Sequence, residues 1–351
     1  MKPLPIREFR PESPDHAAGR DPSDILVGVS SCLLGAEVRF DGGHQKNSFL
    51  VDEVAEWVRF VPVCPEIEIG LGAPRETLRL LKGKSETEPR LVAPKSGTDL
   101  TERMRDYSEQ RVARLKKMNL SGYVLKRRSP TCGMERVKQY DDHGVPQGHG
   151  RGVFAEVLMR EMPLLPVEEE GRLQDPGLRD HFFVRVFAHH RVMRFFSEDW
   201  TVGDLVDFHS REKLLLMAHD PEGYRELGRM VGQAKGADRD GLARRYQERF
   251  FRALQKPATP MRHINVMQHA VGYFRGVLPD AARRSIHATM EDYTESLVPL
   301  SVPLTLIRHH VESSGIGYLA RQRYLSPHPK ELALRNYARP RSSRSSSSQP
   351  R

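Results

Sequence analysis

The chain of 351 residues has only three cysteines and two tryptophans, and aromatic residues make up 7% of it. An odd and small cysteine count argues against a disulfide framework and for a reducing compartment. There is no C-x-x-C pair, the usual local signature of a structural zinc site, and no G-x-G-x-x-G run to cradle a dinucleotide. No apolar run approaches the length of a membrane span, and Met1 to Arg20 lacks the apolar centre of a signal peptide. A soluble cytoplasmic protein without membrane contact is therefore expected. Repeats of fixed period are absent too.

Charge of one sign is in excess, at +9, but part of it lies in the C-terminal tail and the rest of the chain is only mildly basic. Residues 1–165 hold 26 basic and 24 acidic side chains, and 166–351 hold 29 and 22. Four of that second excess are Arg339, Arg341, Arg344 and Arg351, in a serine-rich tail. Charge alone is thus weak support for a nucleic-acid partner. The proline-rich, charged segment 1–23 and the tail 339–351 are expected to be disordered.

What is there is a repeated strand-then-cysteine pattern. Ile25 to Ser30, I-L-V-G-V-S, has the composition of a buried parallel strand, and Cys32 follows at once. Arg59 to Val63 is a second such run, stopped by Cys64 and Pro65, with Gly70, Gly72 and Pro74 forcing a tight path beyond it. Gly122 to Leu125 is a third, leading through K-R-R-S-P-T to Cys132. Phe49 to Val58, Leu100 to Met118 and Val153 to Arg160 read as helices between and after these strands. Glu76 to Val92 reads as an excursion, two short strands around a polar turn, close to the Cys64 loop. The cysteines are 32 and 68 residues apart, too far for a local motif. In a parallel sheet the strand ends share one edge, so the three thiols are expected to converge.

From about Asp175 the periodicity is helical throughout, with spans expected at 178–196, 201–217, 221–231, 238–254, 260–274, 279–295 and 303–312. Prolines open or precede five of them, where a missing N–H costs nothing. The expected architecture is an α/β domain with a mostly parallel sheet over 24–166, then an all-helical domain over 175–335.

Three convergent thiolates with no fourth leave three readings open: an iron–sulfur cluster with one iron free, zinc completed by histidine or water, or no metal. Glu66 and Ser129, two after Cys64 and three before Cys132, are expected to face the same pocket. A carboxylate there can activate water and a hydroxyl can pass a proton, although a helix-start acid and a turn-former before Pro130 are the plain alternatives. Lys126, Arg127, Arg128 and Arg75 are candidates for holding a phosphate. The histidines of the helical part, among them His189, His190, His209 and His219, read as a mixture of surface and buried structural residues.

The segments V-G-V-S-S-C-L-L-G, R-F-D-G-G-H, V-P-V-C-P-E, G-L-G-A-P-R, S-P-T-C-G and G-R-G-V-F-A together resemble the thiouracil desulfidase family over residues 24–166. That resemblance implies a [4Fe-4S] cluster on Cys32, Cys64 and Cys132, one iron without a protein ligand, and Glu66 and Ser129 as catalytic residues. Phe40 stands where many members have tyrosine. Leu205 to His219, His263 to Phe274 and Val302 to His310 resemble the YbgA-like domain. Such fusions imply 4-thiouridine derivatives arising from transfer RNA as substrates, with RNA contact by the helical domain as a further expectation. Two other classes stay open: an iron–sulfur sensor or RNA-binding module without desulfidase activity, and a zinc hydrolase using the same pocket.

Overall fold

The computed structural model describes residues 24–83 and 89–338. The segments 1–23 and 339–351, expected to be disordered, lie outside the described residues, as does most of the polar turn after Leu81. Among the described residues nine strands occur in chain order: β1 (Leu26–Ser30), β2 (Arg59–Val63), β3 (Arg79–Leu81), β4 (Arg90–Ala93), β5 (Thr98–Asp99), β6 (Gly122–Leu125), β7 (Val137–Tyr140), β8 (Pro146–Gly150) and β9 (Val167–Glu169). The first sheet has the order β2-β1-β6-β9, and every pairing in it is parallel. The apolar runs form its centre because both faces are covered: Val27, Val29 and Val124 are fully buried. Gly28 between the two valines admits the Tyr123 ring, which would lie 2.2 Å from a Cβ there.

Helices α1 (Pro65–Glu68), α2 (Thr101–Lys116) and α3 (Val153–Glu161) complete this half. Phe49 to Val58 is helical but not an α-helix: a π turn over Phe49–Glu53 runs into a 3-10 turn over Val54–Glu56. The Val54 N–H reaches Phe49 O as well as Leu50 O, a wider turn that sends both Leu50 and Val54 into the core. The second sheet, β5-β4-β3-β7-β8, contains the two strands expected around the polar turn. It also contains the β7–β8 hairpin, which takes up His149 and Gly150 ahead of α3.

The remainder is helical: α4 (Pro176–Ser197), α5 (Val202–His219), α6 (Pro221–Gly232), α7 (Arg239–Gln255), α8 (Pro260–Gly272), α9 (Asp280–Thr294), α10 (Ser301–Ser314) and the short α11 (Gly317–Ala320). Their starts are set by local chemistry. Asp175 accepts from the Leu178 N–H ahead of Pro176, and Thr201 with Asp204 forms a capping box. Among the described residues no helix is long and apolar enough to cross a membrane.

The helix α4 serves two cores. Val184, Ala188 and Val192 pack among the other helices. Phe182, Phe183, Val186 and Phe187 pack with Val27, Val29, Leu33 and Leu50 of the sheet half. Val186 sits against Gly122, where an added Cβ would fall 2.7 Å from its methyl. The fourth parallel strand, β9, also lies past residue 166. A chain cut after Pro166 therefore loses an edge strand and the cover of one sheet face. It is expected to be insoluble or to unfold without a cooperative transition, read by sedimentation and thermal melting; a soluble fragment with a sharp melt contradicts this shared core.

Burial holds several helical-half histidines neutral. It pushes the basicity of His189 and His219 down to about 3 and that of His209 to about 4. In the unfolded chain each takes up a proton near its ordinary 6.5. The unfolded state then binds more protons below that point, so stability is full above pH 6.5 and is lost as pH falls. Each group contributes up to about 1.4 kcal/mol per pH unit. The thermal midpoint is expected to drop steeply between about pH 6.5 and pH 4.5, and a flat profile there contradicts the neutral burial.

Candidate functional site

The carboxyl ends of β1, β2 and β6 open onto one cavity of about 370 Å³. From β1 the chain enters a 3-10 turn, Ser31–Leu34, that carries Cys32. From β2 it passes directly to Cys64, which stands just before α1, so that Glu66 lies in the first turn of that helix. From β6 it runs through Lys126, Arg127 and Arg128 to Ser129 and Cys132. All three thiols line this cavity, together with Glu66, Ser129, Arg75, Lys126, Arg127 and Arg128. Every residue singled out from the sequence for this site is thus brought to one place.

The thiols are buried and unbridged. Burial, with Lys126 opposing it, pushes Cys32 up to about 11. Burial and then the Glu66 charge push Cys64 up to about 12, and the same two causes hold Cys132 far above the ordinary thiol range. Left to themselves these sulfurs stay protonated at neutral pH; a bound cationic group reverses that balance, since a coordinated thiol is deprotonated. Among the described residues no group of three or more His, Cys, Asp or Glu side chains is placed to hold a metal ion. The donor set itself, three sulfurs on one cavity with no fourth cysteine in the chain, suits an iron–sulfur cluster.

Glu66 is held from both sides. Its Oε2 is 3.1 Å from an Arg75 nitrogen, in a pair of which each side chain is at most 13% exposed. Its Oε1 accepts from Thr131 Oγ1 at 2.7 Å. Arg75 also donates to the carbonyls of Val38 at 2.8 Å and Gly72 at 2.9 Å, tying the Cys32 loop to the Cys64 loop. Ser129 Oγ lies 2.9 Å from Thr131 Oγ1.

The four cations expected at a phosphate have different positions. Arg75 is paired with Glu66 and Lys126 with Glu170. Arg127 lies 3.8 Å from Glu170 and is half exposed. Arg128, in a left-handed conformation at φ 58°, has no carboxylate partner among the described residues. Thr131, Glu170 and the service of Arg75 to Glu66 escaped the sequence reading. Thr131 did leave a signal, a second hydroxyl inside S-P-T-C-G.

A parallel sheet presenting three thiols, a buried carboxylate and a hydroxyl to one cavity defines an α/β protein with a thiol-lined site at its strand ends. Comparison with known proteins gives that class a family. The 2-thiouracil desulfurase family matches residues 27–170, and a family of proteins of unknown function, DUF1722, matches residues 213–329. An uncharacterized protein YbgA of Escherichia coli (strain K12) is 34% identical over 158 residues, 45% of this chain and 94% of its own length. An uncharacterized protein YbbK of Bacillus subtilis (strain 168) is 35% identical over 114 residues, 31% of this chain and 73% of its own length. Among solved structures, one of the [4Fe-4S]-dependent thiouracil desulfidase TudS is 28% identical, covering 43% of this chain and 94% of that one, with a TM-score of 0.35. The chain is thus a relative of YbgA in which residues 27–170 form a domain of the 2-thiouracil desulfurase family.

Proposed function

We propose that the protein is a non-redox desulfidase that replaces the thiocarbonyl sulfur of a thiolated uracil or uridine by oxygen. Its substrate is a 4-thiouridine nucleoside or nucleotide from the breakdown of transfer RNA, and its cofactor a [4Fe-4S] cluster on Cys32, Cys64 and Cys132. The observation that carries this reading is the meeting of the three thiols with Glu66 and Ser129 around one cavity. The family membership supports it. Three cysteines far apart in the chain, with no C-x-x-C pair, favour a cluster over a structural zinc ion.

When bound, the cluster supplies a Lewis acid for the thiocarbonyl sulfur, through an iron that three cysteines leave without a protein ligand. Glu66 takes a proton from the water that attacks the ring carbon; Arg75, 3.1 Å away, keeps the carboxylate oriented. Ser129, on the cavity wall, gives a proton to the departing sulfur. The sum is thiocarbonyl plus water to carbonyl plus hydrogen sulfide, with no electrons exchanged. The cavity falls within the roughly 300–1,000 Å³ of small-molecule sites.

The test is sulfide release by anaerobically loaded protein from 4-thiouracil, 4-thiouridine, its monophosphate and 2-thiouracil. The nucleoside and nucleotide are expected to be turned over best; no release from any of them contradicts the reading. Arg128, the cation without a carboxylate partner among the described residues, is assigned to the substrate phosphate. In Arg128→Gln the KM for the monophosphate is expected to rise about tenfold and to lose much of its salt dependence. An equal rise for the free base removes that assignment.

A further inference from the structure

Between Glu66 and Ser129 stands a hydroxyl that does not line the cavity. Thr131 is fully buried, and its Oγ1 lies 2.7 Å from Glu66 Oε1 and 2.9 Å from Ser129 Oγ. Counting donors and acceptors fixes the direction of this line. A serine hydroxyl has one proton and two lone pairs. Ser129 Oγ accepts from the backbone N–H of Thr131 at 3.2 Å and of Cys132 at 3.1 Å, which uses both lone pairs. Its remaining bond, to Thr131, is therefore one in which Ser129 donates. An ionised Glu66 only accepts, so Thr131 must give its own proton to the carboxylate. The competing acceptor, Cys132 Sγ at 3.6 Å, is farther away and sulfur is the weaker acceptor. The resting order is Ser129 O–H to Thr131 O–H to Glu66 carboxylate, with Arg75 on the other carboxylate oxygen.

We propose that Thr131 is a positioning residue through which a proton passes from Glu66 to Ser129 during desulfuration, an inference that rests on the desulfidase reading above. Glu66 and Ser129 face the cavity, one to receive a proton from water and one to deliver a proton to sulfur, and Thr131 joins them by a hydrogen bond to each. As the water oxygen bonds to the ring carbon, one proton goes to Glu66. The C–S bond breaks with its electron pair on sulfur. Protonated Glu66 now donates, which turns the line over: Thr131 O–H donates to Ser129 in place of the 3.2 Å bond from its own N–H, and the Ser129 hydroxyl turns to the sulfur. Ser129 then gives its proton to the sulfur while taking one from Thr131, and Thr131 takes one from Glu66. Each hydroxyl loses one proton and gains one, and Glu66 returns to the carboxylate. The second proton of the water leaves as the new carbonyl forms, which completes hydrogen sulfide.

Thr131→Val removes the hydroxyl with little change of shape, and Thr131→Ser keeps it. In cluster-loaded protein, kcat of the valine variant is expected to fall about 100-fold while KM stays within about threefold, with the serine variant within about threefold of the parent in both. Iron content and thermal midpoint are measured alongside, since a purely structural role moves these. The rate of the parent protein against deuterium fraction of the solvent needs no variant: a curved dependence is expected from several protons in flight. A linear dependence, a valine variant with unchanged kcat, or a loss that serine does not restore overturns the relay. A parent protein that releases no sulfide from any thiopyrimidine fails at the desulfidase reading itself, a result separate from an active parent whose rate ignores Thr131.

Discussion

Cys32→Ala, Cys64→Ala and Cys132→Ala are each expected to yield a folded chain that retains no cluster and releases no measurable sulfide. The three thiols lie on the loops that follow three different strands of one parallel sheet, and the chain has no fourth cysteine to take a vacated position. A cluster left with two thiolates loses a third of its protein anchoring, and the cavity offers it only oxygen and nitrogen donors in exchange. The fold itself is expected to survive. Each thiol behaves as a small apolar side chain, and its removal costs about 1 kcal/mol, an ordinary core effect. Iron analysis and thermal melting separate the two outcomes. Normal iron in any one variant removes that residue from the ligand set.

Glu66→Gln is expected to show the reverse pattern: iron retained, turnover lowered by about 100-fold or more. Glutamine keeps an oxygen for Thr131 or Arg75 but has no basicity with which to take a proton from water. Arg75 then lacks its counter-charge in a buried position, although it keeps its bonds to the Val38 and Gly72 carbonyls. The resulting loss of stability is expected to be about 1–3 kcal/mol, visible as a lower melting point. Loss of iron in this variant makes Glu66 a support for the cluster loops, and an unchanged rate ends its assignment as the base.

Strands β1 and β6 were legible because a parallel strand covered on both faces is an uninterrupted apolar run, as in Leu26 to Val29, and the edge strand β2 from the short run Phe60 to Val63 stopped by Cys64 and Pro65. The helical spans after Asp175 were legible from their periodicity and, in five of seven, from a proline at the start. The β7–β8 hairpin was not, because Pro146 to Gly150 is polar and exposed and carries no alternation. The double service of α4 is written in its sequence only as excess: Phe182, Phe183, Val184, Val186, Phe187 and Ala188 are apolar on more than one helical face, the mark of a helix buried on two sides. At the site, convergence of the thiols followed from the strand-end rule. The Thr131 to Glu66 bond joins residues 65 apart, and no local pattern announces such a contact. Nor does a basic residue in a sequence reveal whether it meets a carboxylate. Arg75 and Lys126 do, and Arg128 does not among the described residues.

The central claim is that three strand-end thiols hold a cluster at which sulfur is exchanged for oxygen. Its most direct test is an anaerobic assay of reconstituted protein with 4-thiouridine, following iron, sulfide and uridine together. The account predicts about four irons per chain, with sulfide and uridine formed in equal amounts and both lost when the iron is removed. Equal turnover by zinc-loaded or metal-free protein, or a full cluster that forms no uridine, contradicts it.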